Sequence, residues 1–148
     1  MPTTGRLTGA VLYGALALLL AVLLLDRFGD SGAPKYWLAL CGIVGVVVGW
    51  TVVGSRSSGR GGVGIAIGTG ITGAAAMAFW VLFFLSGYDM IIQSMRGAYD
   101  GPVEAVIGVF EIMVDYAVQF YDPVVVAVWL FGGAVAGIVT TAVGQRYR

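Results

Sequence analysis

The sequence predicts an all-α integral membrane fold: a four-transmembrane-helix bundle with an additional amphipathic surface helix between spans three and four. Three observations predict it. The 148 residues are 59% hydrophobic and 11% charged, whereas soluble domains average about 45–50% apolar and about 25% charged. Four stretches are long and free of charge. Between the third and fourth, the run YDGPVEAVIGVFEIMVDY places Glu104, Glu111 and Asp115 among apolar residues at helical spacing.

The four spans are residues 7–25, 37–53, 62–85 and 124–143, forming one membrane domain over residues 1–148. At 1.5 Å per residue, roughly 20 residues cross a ~30 Å hydrocarbon core. In lipid the backbone must satisfy its own hydrogen bonds, so each stretch is read as a helix. The first is expected to be a retained span. Its apolar run exceeds that of a signal peptide, and DRFGDSGAP offers no small-residue cleavage site.

Turns separate the spans. Residues 26–36 contain Gly29, Gly32 and Pro34, and residues 55–61 form a short basic Gly/Ser loop. Asp122-Pro123 reads as an N-cap followed by proline at the first helical position. With four spans, Arg6, Arg56, Arg60, Arg146 and Arg148 share one side and Arg27, Lys35 and Arg96 the other. The positive-inside rule then places both termini in the cytoplasm. Tyr36, Trp37, Tyr88 and Tyr121 fall at outer span ends, where such rings favour the headgroup level. Trp80 and Trp129 fit no belt and read as packing or lipid-facing residues.

Residues 102–121 form the surface helix. At 100° per residue Glu104, Glu111 and Asp115 fall within roughly 40° of one another, with Gly108 and Gln119 beside them. Val106, Val109, Phe110, Met113, Ala117 and Phe120 cover the opposite face. Each carboxylate at mid-membrane costs about 2.5–3.5 kcal/mol and each large apolar residue returns about 0.3–0.6 kcal/mol, so crossing is unfavourable. The cheaper arrangement lies along the periplasmic surface and packs on the spans. Gly101 serves as N-cap, Pro102 as first residue, and Glu104 reaches back to the Gly101 N–H. Glu111 and Asp115 repel mildly at i,i+4, so water, a cation or a partner is their expected neighbour. Asp89, Gln93 and Arg96 share a face just beyond the third span, whose helix is expected to continue to about Arg96; an ion pair, interface anchoring or part of a binding mouth are their readings.

Gly45 and Gly49, Gly64 and Gly68, and Gly133 and Gly137 are small-residue pairs at i,i+4 in three spans. They let backbones approach closely, within one bundle or in a homo-oligomer. GTGITG at residues 68–73 matches a dinucleotide fingerprint but sits inside a span without a preceding strand. Thr51, Thr69, Thr72, Thr140 and Thr141 can bond to their own helices. Cys41 is the only cysteine and there is no histidine, so no disulfide, His- or Cys-rich zinc site, or common hydrolase pair is expected. No cofactor, metal or enzymatic activity is expected. Zero net charge and the lack of a basic stripe exclude nucleic acid as a partner; the bilayer, a second copy or another membrane protein remain.

GVVVGWTVVGSR at residues 45–56, GITGAAAMAFW at 70–80 and YDGPVEAVIGVFE at 99–111 resemble the TrgA-type tellurium-resistance membrane proteins of alphaproteobacteria, over nearly the whole chain. The resemblance implies a small, non-enzymatic inner-membrane protein contributing to tolerance of tellurite. Tellurite is an oxyanion, and an acidic outer face repels it, so indirect resistance is the expected route. The alternative is a small homo-oligomeric transporter or channel subunit with an acidic, cation- or partner-binding outer patch.

Overall fold

A backbone in hydrocarbon has no water to bond, which makes helix the economical state for each apolar stretch. The computed structural model describes residues 4–56 and 62–146. It contains α1 (Thr4–Leu23), α2 (Trp37–Arg56), α3 (Val63–Met95), α4 (Pro102–Gln119) and α5 (Pro123–Arg146), with a short 3-10 turn over Leu25–Ser31. Among the described residues there is no strand. α1, α2, α3 and α5 are each long and apolar enough to cross a membrane, and they fit a membrane protein. Residues 57–61 of the basic loop, with Arg60, lie outside the described residues, as do Tyr147 and Arg148.

Lipid tails are as apolar as leucine, so close packing and hydrogen bonds must hold such helices together. α1 supplies the centre. It buries Gly5, Gly9, Tyr13, Ala17 and Ala21, a repeat of four that presents small residues on both sides of one aromatic ring. A Cβ added at Gly45 of α2 would stand 2.5 Å from the Tyr13 carbonyl, and one at Gly49 would collide with the Gly9 carbonyl. There the two backbones touch, and α2 loosens into a π turn over Gly49–Val53. On the other flank, Gly132 of α5 accommodates Leu16.

α3 and α5 meet the same way. A Cβ at Gly137 would lie 2.5 Å from the Ala66 carbonyl, and one at Gly70 would strike the Gly133 carbonyl. Tyr13, fully buried, donates its hydroxyl to the Gly70 carbonyl at 2.6 Å, with the Gly133 carbonyl 3.2 Å away. Gly73 makes room for the ring, since a Cβ there would stand 3.0 Å from the Tyr13 hydroxyl. Gly64 and Gly68, by contrast, face open space. The third span packs within the chain through Ala66, Gly70, Gly73 and Ala74, because Gly70 sits about 200° round the helix from Gly68. Thr51, Thr69, Thr72 and Thr140 each donate to the carbonyl four residues back.

α3 has 33 residues, about 50 Å at 1.5 Å per residue, and so exceeds a ~30 Å hydrocarbon core. It stops at a Schellman motif. Gly97 adopts φ 74°, its N–H meets the Ser94 carbonyl, and the Ala98 N–H meets the Gln93 carbonyl. The chain then reverses, and α4 runs back along the last third of α3.

Gly70→Val should force α3 and α5 apart and remove the Tyr13 acceptor geometry, costing about 1–3 kcal/mol from overpacking alone. Gly68→Ala, with nothing within contact distance, should be neutral or stabilise by about 0.5–1 kcal/mol. Thermal melting of the purified protein in one detergent checks both; equal losses would contradict this packing.

Candidate functional site

Polar chemistry collects at the end of the bundle where α4 sits. The 3-10 turn after α1 bends at Gly29 (φ 58°), and Phe28 folds over the helix ends. Its ring meets Trp37 at 5.0 Å and Phe120 at 5.3 Å, edge-on in both cases. The Trp37 indole N–H donates to the Ala21 carbonyl at 2.9 Å. Arg27 forms an ion pair with Asp122, and the Gln119 amide donates to the Arg27 carbonyl at 2.5 Å. This polar strap ties the first turn to the start of α5. Asp122 also accepts from the Val124 N–H at 2.7 Å, the N-cap bond expected ahead of Pro123. That backbone bond, joined by the Arg27 guanidinium, holds the Asp122 carboxyl below the usual carboxylate range.

Tyrosines surround Asp89. The Tyr116 hydroxyl on α4 donates to the Asp89 carboxylate on α3. The Tyr36 ring stacks obliquely on Tyr88 at 4.7 Å. Burial, with the Asp89 charge and Tyr88 behind it, pushes the Tyr36 phenol up to about 12. Burial and the bond to Asp89 raise Tyr116 further. Both phenols therefore stay protonated at neutral pH: Tyr116 acts as the donor to Asp89, and Tyr36 is a packing group whose buried hydroxyl has no partner among the described residues. The Ser86 hydroxyl, one turn before Asp89, is fully buried and has no partner in the described residues.

The remaining outer-cluster residues do not form a unit. Gln93 accepts a 3.3 Å hydrogen bond from the Tyr99 hydroxyl. Arg96 is exposed at the α3 C-cap, and it makes no ion pair with Asp89 among the described residues. On α4, Gly101 is the N-cap and Pro102 begins the helix. Glu104 accepts from the Asp100 N–H at 2.8 Å, one residue earlier than the expected Gly101 N–H. Glu111 and Asp115 are exposed. No group of three His, Cys, Asp or Glu able to hold a metal occurs among the described residues.

α4 has three faces. Gly108, Val109 and Phe120 at its end are buried against the rest of the chain, with Gly108 packed by the Tyr99 ring. The acids occupy the second face. The third is a bare apolar stripe of Val103, Ile107, Phe110, Val114 and Val118, from 49% to 73% exposed. Of the apolar face expected opposite the acids, Val106, Phe110 and Ala117 are exposed, and Val109 and Phe120 are the buried members. The difference arises because α4 takes α3 as its neighbour and turns the side of Val109, Ile112 and Tyr116 inward.

Beneath the end of α4 lies a cavity of about 230 Å³. α1 contributes Leu20, with Leu24 just past its end, α2 Trp37 and Cys41, α3 Met77 and Leu82, and α5 Val125 and Trp129; Ala117, Phe120 and Tyr121 roof it. The tyrosine clamp and this cavity were not readable from sequence. Their members come from distant segments, and the only local signal was aromatic residues at span ends.

Tyr116→Phe should lower stability by about 1.5–3 kcal/mol, the worth of one hydrogen bond to a charged group, and should loosen α4 first. Hydrogen exchange at residues 102–119 reads this directly. For Asp122 the sign follows from its lowered pKa: its stabilisation is present above the ordinary carboxylate pKa of about 4 and is lost as pH falls through the folded value. Melting temperature against pH should therefore drop on acidification in the parent, and less steeply in Asp122→Ala.

The chain matches no protein-family model, no curated protein and no solved structure.

Proposed function

We propose that this chain is a non-enzymatic protein of a bacterial inner membrane that contributes to resistance against tellurite or related metalloid stress. Both termini lie in the cytoplasm in this reading, and α4 lies on the periplasmic side. The observation that carries it is the build of the YDGPVEA segment, the most specific part of the resemblance to tellurium-resistance membrane proteins. Tyr99 packs on Gly108, the Asp100 N–H is held by Glu104, and Gly101-Pro102 starts α4. The segment is thus a structural corner that presents Glu111 and Asp115 to solvent. The excess of Lys and Arg on the side of the termini, five against three, supports the orientation. The bare stripe on α4 supports its resting at the acyl boundary with the acids toward water.

An exposed acidic face repels an oxyanion, so the protein acts on tolerance indirectly, through the envelope or another membrane protein. The transport alternative is less favoured. Tyr13 and the touching glycine backbones occupy the middle of the bundle, where a pathway through one chain would have to run. A second copy is the candidate partner, with exposed Gly64 and Gly68 available for contact.

Deletion of the gene should lower survival on tellurite, and the parent sequence should restore it. Glu111→Ala with Asp115→Ala should restore it only partly. Unchanged survival on deletion removes this reading. Reporter fusions at both termini should give cytoplasmic signals, and opposite signals would overturn the orientation.

A further inference from the structure

We propose that the cavity under the end of α4 is a binding site for one acyl chain of a membrane phospholipid. The inference rests on the membrane placement of the four apolar helices and is independent of the tellurite reading. The wall is the first argument. Two indoles, Trp37 and Trp129, line the cavity, and both N–H groups are already spent on backbone, donating to the Ala21 and Ala74 carbonyls at 2.9 Å. Cys41 and Met77 add sulfur atoms, and the other lining groups are aliphatic or aromatic carbon, apart from the hydroxyl of Tyr121 on the exposed roof. Below that roof the wall offers a ligand no good hydrogen bond, so it selects hydrocarbon and discriminates against water, ions and polar solutes.

Size and shape are the second argument. At about 230 Å³ the space is roughly half again as large as the ~150 Å³ apolar cavity that stays dry and admits benzene. It has room for a run of methylenes.

Access is the third argument. α3 and α5 are pinned together by Gly70, Gly133 and Gly137. Toward α4 the facing residues grow to Val81, Leu82, Val125 and Trp129, which keep the two helices from closing. Lining residues on that side are half-buried, and Ala117 and Tyr121 at the roof are exposed. The opening therefore lies along the flank of α3 and α5, where the surrounding bilayer presents acyl chains. Moving a chain from bilayer to cavity changes its polarity little. The gain is the dispersion contact that an unfilled void forgoes. The Arg27–Asp122 ion pair and the Gln119 amide beside Tyr121 place polar groups at the rim, level with a lipid headgroup.

The test uses the full chain in nanodiscs. Trp50→Phe with Trp80→Phe leaves Trp37 and Trp129 as the emitters. Phosphatidylcholine brominated at mid-chain should quench them. Ala78→Phe and, separately, Val125→Phe fill the cavity and should bring quenching close to background, with the circular dichroism spectrum unchanged. Parent protein released from the discs should retain phospholipid by native mass spectrometry, and folded filled variants should retain less. Absence of quenching in the parent overturns the proposal. So does equal quenching in the parent and a folded filled variant, which would mean that bromine reaches the indoles from bulk lipid. Quenching by a free bromoalkane but not by the brominated phospholipid overturns the lipid as occupant.

Discussion

The arrangement depends on one buried hydroxyl. Tyr13 is fully buried at the centre of the bundle, and an unpaired hydroxyl there would cost several kcal/mol, on the order of 2–7. It reaches the Gly70 carbonyl, with the Gly133 carbonyl beside it, where α3 and α5 touch backbone to backbone. A Cβ at Gly70 would strike the Gly133 carbonyl, one at Gly133 would meet Ala74, and one at Gly73 would crowd the phenol itself. Since lipid supplies no hydrophobic force between helices, this node and the Gly9–Gly49 contact decide which helices are neighbours.

The consequences run outward from that node. Gly70, Gly133 and Gly137 bring α3 and α5 together away from α4, and the large side chains Trp129 and Leu82 follow on the α4 side. The cavity lies beside them. α4 covers it from above, directed by the Schellman turn at Gly97 and anchored by Tyr116 on Asp89. A half-buried carboxylate at the end of an apolar bundle is tolerable because a phenol donates to it, and the same bond fastens the roof.

What the sequence made legible was whatever a local pattern encodes. Charge-free runs located the four apolar helices. Gly101-Pro102 and Asp122-Pro123 located two helix starts, because caps are decided within four residues. The phase of packing was not legible. Gly64 and Gly68 look like an association motif, yet the packed face is two residues on, at Ala66 and Gly70. Periodicity alone cannot choose between two small-residue faces of one helix; the partner chooses. Tyr13 meets acceptors 57 and 120 residues away, and nothing near Tyr13 announces them.

Asp89 shows why the site was harder to read than the fold. Its spacing with Gln93 and Arg96 pointed to a cluster along one helix, but hydrogen bonding drew it to another. Arg96 stands at the C-terminus of α3, where the negative end of the helix dipole already favours a cation and Asp89 is about two turns away. A phenol carried by a packed neighbour reaches that carboxylate without ordering a long flexible side chain. Tyr116 therefore takes the bond, and α4 is held by a neutral donor that keeps its proton at neutral pH. A clamp of this kind leaves Glu111 and Asp115 facing outward, since the helix cannot turn its tyrosine inward without turning its acids away.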